Sequence, residues 1–178
     1  MTPNPIFLLV GSPAVGKSTT AKALAQRFAK SVHIPVDNLR DMVVSGLEMP
    51  ALEWGDPLAQ QVRLARETAL FMAKQYSQAG FAVVLDDFYD PHGLLEYQTQ
   101  VERGEIRGII LFPTIAEALR RNFGRFGDQP VRQYLDEGIR SVYGLLEPNL
   151  AGLSEHGWIV LDTTEMSLED AVDKISRL

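Results

Sequence analysis

Cysteine is absent from the chain, which excludes disulfides, iron–sulfur clusters and thiolate zinc sites. Histidine is scarce: His33, His92 and His156 stand far apart, so a histidine-rich metal site is not expected. Positive charge is in the minority. Lys and Arg number 17 against 23 Asp and Glu, giving a net charge of −6 and a sequence pI near 5.1. That balance does not fit a bulk binder of nucleic acid or anionic membrane. The lysines are only Lys17, Lys22, Lys30, Lys74 and Lys174, so most basic residues are arginines and a local arginine patch can still form. Long apolar runs are missing too. The N-terminal run 6–10 is far below the ~18 to 20 residues of a transmembrane helix. Pro3 and Pro5 flank it and nothing basic precedes it, so neither a membrane span nor a leader is expected. A cytoplasmic protein is the expectation.

What is present fits one domain over residues 1–178. Hydrophobic residues make up 46% of the chain, enough for a core that needs no staples. Apolar runs alternate with helical patterns. Residues 6–10 read as a buried strand ended by the glycine loop 11–16. A helix follows over 17–30, with Ala21, Leu24, Ala25 and Phe28 at helical spacing. Residues 33–36 form a second strand, whose internal Pro35 places it at a sheet edge. A short helix spans 37–45. Residues 45–57, with Gly46, Pro50, Gly55 and Pro57, have no period and read as a substrate loop. Leu58, Val62, Ala65, Ala69, Met72 and Tyr76 then mark an amphipathic helix ending near Gly80. Residues 81–85, 108–112 and 158–161 are the remaining strands. Thr114 with Glu117 and Ser167 with Asp170 are capping boxes opening helices. Another helix runs over 131–146, with Val131, Leu135, Ile139, Val142 and Leu146 on one face. Strands separated by helices imply a three-layer α/β fold around a parallel sheet.

The chemistry begins at 11–18, Gly-Ser-Pro-Ala-Val-Gly-Lys-Ser, which fits G-x-x-x-x-G-K-S/T between a strand and a helix. Gly11 and Gly16 let the loop curl so that the N–H groups of Ser12, Ala14, Val15 and Thr19 face phosphate oxygens. The helix start adds positive potential. Lys17 reaches the β- and γ-phosphates and Ser18 offers a hydroxyl to Mg²⁺. A nucleoside triphosphate is the implied ligand. The third strand ends in Asp86-Asp87, at the ligand end of such a sheet; Asp86 is assigned to the metal and Asp87 to substrate. The second strand ends in Asp37, with Arg40 one helical turn on: a proton acceptor beside a group for an anionic or polar substrate. Arg120, Arg121 and Arg125 are the densest basic cluster, on a lid segment near 114–130 that Gly124 and Gly127 would let flex. Arg121 and Arg125 share a helix face, although spacing does not decide whether Arg120 or Arg121 meets the phosphates. Trp54 either stacks on a substrate ring or packs in the core. Arg63 and Arg66 read as surface partners of Glu67.

In this order the motifs resemble the P-loop kinases of the nucleoside-monophosphate-kinase-like group. That group carries an AAA-type ATP-binding domain and includes chloramphenicol phosphotransferase-like, gluconate kinase-like and polynucleotide 5′-kinase-like members. The resemblance implies a five-stranded parallel sheet in the order 2-3-1-4-5, with ATP and Mg²⁺ as cofactors. It implies Asp37 as general base, with Lys17, Arg121 and Arg125 stabilising charge. It also implies that the loop after Asp162, with Thr163, lies near the adenine. The function implied is transfer of the γ-phosphate to a hydroxyl of a small-molecule acceptor.

Three other readings stay open on the sequence. One is a polynucleotide 5′-hydroxyl kinase, since Asp37-x-x-Arg40 is similar to that group's pattern; nucleic acid would then enter only as a 5′-end substrate. Another is an ATPase module with no acceptor. The last is a GTPase switch, disfavoured because no lysine stands in an N/T-K-x-D context, although Asp90-x-x-Gly93 imitates a switch turn.

Overall fold

The computed structural model of the chain describes residues 4–49, 54–90 and 92–178. Its strands are β1 (Ile6–Gly11), β2 (Ser31–Pro35), β3 (Ala82–Phe88), β4 (Arg107–Leu111) and β5 (Ile159–Leu161). They lie in the order β2-β3-β1-β4-β5, and each neighbouring pair is parallel. The order is the one expected, and it leaves Pro35 on an edge strand. The helices are α1 (Lys17–Ala25), α2 (Val36–Arg40), α3 (Asp56–Gln78), α4 (Leu95–Glu102), α5 (Ile115–Phe126), α6 (Pro130–Leu146), α7 (Leu150–Glu155) and α8 (Leu168–Ser176).

Side chains alternate across a strand, and here the alternation makes two cores. Leu8 and Val10 join Ile34, Val83, Leu85 and Ile110 beneath Ala65, Ala69 and Ala73 of α3 and Tyr97 of α4. Phe7 and Leu9 join Val84, Ile109 and Leu111 beneath Ala21 and Leu24 of α1 and Val172 and Ile175 of α8. Each such aliphatic side chain contributes ~1.5–3 kcal/mol relative to exposure. The same alternation sends the consecutive acids Asp86 and Asp87 to opposite faces, one toward α1 and the other toward α3.

Several elements differ from the sequence expectation for identifiable reasons. The helix α1 stops at Ala25 rather than near 30, where Arg27 and Phe28 turn to i−3 bonds on Leu24 and Ala25. The helix α2 ends at Arg40; the β-branched pair Val43-Val44 and Gly46, with φ 77°, do not favour continuing it. On α3 the buried stripe runs Leu58, Val62, Ala65, Ala69 and then Ala73 and Ser77, leaving Tyr76 38% exposed. A strict heptad drifts by ~20° per repeat against a straight helix, so over this length the stripe moves one position. The helix α4 leaves little apolar signal in the sequence, because it buries only Tyr97 and Val101.

Of the two expected capping boxes, Ser167 and Asp170 form a complete one. Thr114 accepts from Glu117 N at 3.3 Å, but its own N–H goes to Thr164 Oγ1 at 2.8 Å, so that box is half formed. Among the described residues no helix is long and apolar enough to cross a membrane.

Candidate active site

β1 delivers the chain into a loop at the carboxyl ends of the strands. A Cβ at Gly11 would stand 2.6 Å from the Leu111 carbonyl oxygen and 3.0 Å from Val15 Cγ2, so the loop leaves no room for a side chain there. Gly16 has φ 95° and Ala14 φ 62°; a non-glycine residue in that region costs of order 1–3 kcal/mol. Gly16 is also the N-cap of α1, with no side-chain cap and no acid in the first turn. The opening N–H groups of α1 therefore have no side-chain acceptor, and the helix dipole adds positive potential. Ser12 Oγ is buried without a hydrogen-bond partner among the described residues. Such a set of donors suits phosphate oxygens.

Lys17 Nζ donates to the Ser12 carbonyl at 2.8 Å, so the amine lies across its own loop. Burial pushes the Lys17 pKa down, while Asp37, Asp86 and Asp87 pull it back. One lysine thus lies within electrostatic reach of all three strand-end acids. Ser18 Oγ donates to Asp86 Oδ1 at 2.8 Å, and His33 Nε2 stands 2.5 Å from Asp86 Oδ2. A hydroxyl and a carboxylate beside a phosphate cradle are oxygen donors of the kind Mg²⁺ takes while keeping several waters. Ser18 and Asp86 fit that ion. Among the described residues no group of three or more His, Asp or Glu side chains could hold a metal by itself.

Asp37 opens α2 and Arg40 closes it. The Asp37 residue reaches solvent, yet protein surrounds its carboxyl on the remaining sides. That crowding raises its pKa, against the pull of Lys17 and Arg40. Arg40 is only 7% exposed, and among the described residues its buried Nε has no hydrogen-bond partner. A buried guanidinium group with an unused donor is rare and is a ready anion site.

On the other side of α1, a cleft of about 220 Å³ is lined by residues including Val15, Gly16, Thr19, Arg121, Thr163 and Met166. Arg121 bridges its walls, donating to Val15 O at 3.2 Å, Thr163 O at 2.8 Å and Glu117 Oε1 at 2.7 Å. Arg121 meets the loop, while Arg120 is largely exposed and pairs with Glu117. Arg125 is exposed, stacks over Phe126 at 4.9 Å and takes no part in the cradle. The segment near 114–130 is α5 and the turn that leads into α6. Asn122, wholly buried, holds the two helices together by donating to Arg132 O and Asp136 Oδ1. A larger cavity of about 620 Å³, whose lining includes Ile6, Phe71, Lys74 and Arg107, lies at the opposite ends of the strands and contains none of these residues.

Two readings need correction. Arg66 is not a surface residue: its side chain is 1% exposed, and it pairs with Asp87 at 2.7 Å, Asp90 at 2.6 Å and Glu96 at 3.0 Å. It sits one turn beyond Val62 on the buried face of α3. Arg63 does pair with Glu67, at 3.9 Å and in solvent. Asp87, assigned to substrate, is fully engaged. Its Oδ2 accepts from Arg66 and Tyr97 and its Oδ1 from Phe88 N. Burial still pushes its pKa up to about 6, against the pull of Arg66. The Asp90–Gly93 turn is tied to the same arginine, since Arg66 also donates to Gly93 O.

Trp54 packs against Phe88 at 6.0 Å and His92 at 6.2 Å, over the turn after β3. Residues 50–53 of the expected substrate loop lie outside the described residues; Gln61 ties the part before them to α3 through Gly46 O and Glu48 N. His33 joins the site although no sequence motif marks it. Its signal was available: it is the one ionisable side chain in the alternation Ser31, His33, Pro35 against Val32, Ile34, Val36.

A model of the AAA domain family matches residues 6–138. The chain belongs to the AAA domain family. Its match covers the cradle, Asp37 and Arg40, the acidic strand end and α5, and ends before Thr163 and Met166 of the cleft. No curated relative matches the chain. Solved structures similar to it include a shikimate kinase from Bacteroides thetaiotaomicron, 18% identical over 97% of each chain with a TM-score of 0.65. A gluconokinase from Sinorhizobium meliloti 1021 is 15% identical over 98% of this chain and 93% of its own, with a TM-score of 0.61. A tunicamycin resistance protein from Deinococcus radiodurans is 14% identical over 98% and 94%, with a TM-score of 0.60. The fold of this AAA-domain chain is thus that of P-loop kinases of the nucleoside-monophosphate-kinase-like group.

Proposed function

We propose that the chain is an ATP-dependent phosphotransferase that moves the γ-phosphate to a hydroxyl of a small, anionic acceptor. The observation that carries this reading is the gathering of Lys17, Asp37 and Asp86 at one end of the sheet. The loop N–H groups and Lys17 hold the phosphates. Ser18 and Asp86 would hold Mg²⁺, which when bound neutralises charge on the phosphate oxygens. Arg121 and Thr163 line the cleft on the nucleoside side.

Asp37 takes the acceptor's hydroxyl proton as the new O–P bond forms and the bond to the β–γ bridging oxygen breaks, releasing ADP. Asp37 suits this role because its raised pKa makes it a stronger base than an ordinary carboxylate while it stays open to solvent. Arg40 binds an anionic group of the acceptor. The likeness to proteins titled shikimate kinase and gluconokinase supports a small acceptor, as does the net charge of −6, which opposes a polynucleotide. The absent guanine motif supports ATP.

Calorimetric titration of the protein with ATP and with GTP, each with Mg²⁺, tests the nucleotide assignment. Tighter ATP binding is expected, and tighter GTP binding would overturn it.

A further inference from the structure

We propose that His33 is a positioning residue for the divalent cation: it holds Asp86 so that a single carboxylate oxygen faces the phosphate cradle. The inference rests on the assignment of Ser18 and Asp86 to Mg²⁺ made above.

The register of the sheet sets up the contact. β2 and β3 pair as His33↔Val84 and Pro35↔Asp86, so His33 and Asp86 stand on one face, two positions apart along neighbouring strands. α1 packs on that face and brings Ser18. The Asp86 carboxylate is consequently held at both ends, Oδ1 by Ser18 Oγ and Oδ2 by His33 Nε2. Its side chain is 7% exposed and that of His33 19%.

The hold has a chemical consequence. Oδ2 is occupied by the imidazole N–H, which leaves Oδ1 for the ion or one of its waters. Asp86 then acts through one oxygen, in a direction fixed by a partner on a different strand. A carboxylate free to rotate would lose orientation entropy on metal binding, or offer both oxygens and displace a water that Mg²⁺ holds tightly. Partners of this outer kind orient ligands, and removing one typically costs about 10- to 100-fold in metal affinity or activity. His33 lies on the edge strand, belongs to neither core and makes no other side-chain hydrogen bond among the described residues, so its replacement leaves the cores intact.

The test is Mn²⁺ binding to the ADP-loaded protein, read by electron paramagnetic resonance of the free ion, in parent, His33→Ala, His33→Gln and Asp86→Asn proteins. The Mg²⁺ dependence of turnover is measured alongside. His33→Ala should weaken Mn²⁺ affinity about 10- to 100-fold and raise the Mg²⁺ needed for half-maximal turnover, with kcat at saturating Mg²⁺ close to parental. His33→Gln keeps an N–H donor of similar reach and should recover most of the loss. Weakened binding in Asp86→Asn with parental binding in His33→Ala would overturn the role of His33 alone. Equal losses in the Ala and Gln variants would also overturn it, by pointing to lost packing. Parental Mn²⁺ binding in Asp86→Asn would instead sink the metal assignment itself, and the role of His33 with it.

Discussion

Ser18 Oγ lies 2.8 Å from Asp86 Oδ1, although the two residues are 68 positions apart in the chain. The contact exists because β3 is inserted beside β1 in the sheet, leaving β2 at the edge. The end of β3 is thereby set against the start of α1, and the cradle and the acidic strand end form one site.

Lys17→Ala should reduce nucleotide turnover by about 10²-fold or more, the scale of losing one fixed donor to developing charge. The variant should keep its fold, since Lys17 packs in neither core. Turnover at the parental rate in a variant with a parental circular dichroism spectrum would remove Lys17 from the mechanism.

Asp37 and Arg40 should separate kinetically once an acceptor is in hand. Asp37→Asn should lower kcat by roughly 10² to 10⁴, toward the low end because phosphoryl transfer asks little of a base. ATP affinity should barely change. Arg40→Ala should raise the acceptor KM with a smaller effect on kcat. Parental kcat in Asp37→Asn would reduce Asp37 to a helix-start residue.

The buried arginine should dominate stability. Arg66→Ala strands Asp87 and Asp90 without a cation and should cost about 3–5 kcal/mol, whereas Arg63→Ala should stay within about 0.5 kcal/mol. Urea denaturation of the two variants measures the difference, and similar small shifts would contradict the burial argument.

Asp87 should leave a mark on the pH dependence of folding. Its pKa in the folded protein is about 6 against an ordinary 3.8, so the folded state binds this proton more tightly than the unfolded one. Stabilisation from its protonation is complete below about pH 4 and lost as pH rises through about 6. Glu117, held down to about 2 by Arg120 and Arg121 against an ordinary 4.5, acts with the opposite sign: its stabilisation is complete above about pH 4.5 and is lost as pH falls through about 2. Denaturation midpoints between pH 4.5 and 7 should show a shallower pH dependence in Asp87→Asn than in the parent. An unchanged dependence would contradict the raised pKa.

The edge position of Pro35 and the cradle at 11–18 are legible in the sequence because each rests on a local rule, a strand's proline and a loop's glycines, whereas the sheet order follows from the family resemblance and not from any local pattern. The Arg66 cluster is not legible. Whether an arginine faces solvent depends on the phase of the helix, and here Arg66 lies on the same turn as Ala65, beside the stripe that was counted. His33 was passed over for a related reason. Its partner, Asp86, is 53 positions away, and only the strand register brings them together. Arg125 was grouped with Arg121 by an i, i+4 spacing that does not say how far along the helix the site reaches.

The central claim is that this site transfers a phosphoryl group to a hydroxyl other than that of water. The most direct measurement follows γ-labelled ATP with a panel of anionic hydroxylated metabolites, antibiotics and 5′-hydroxyl oligonucleotides, in parent and Lys17→Ala proteins. Label is expected in one organic product of the small-molecule set, formed by the parent only, with ADP release that depends on that acceptor. Label found solely as inorganic phosphate, at a rate no acceptor changes, would contradict it.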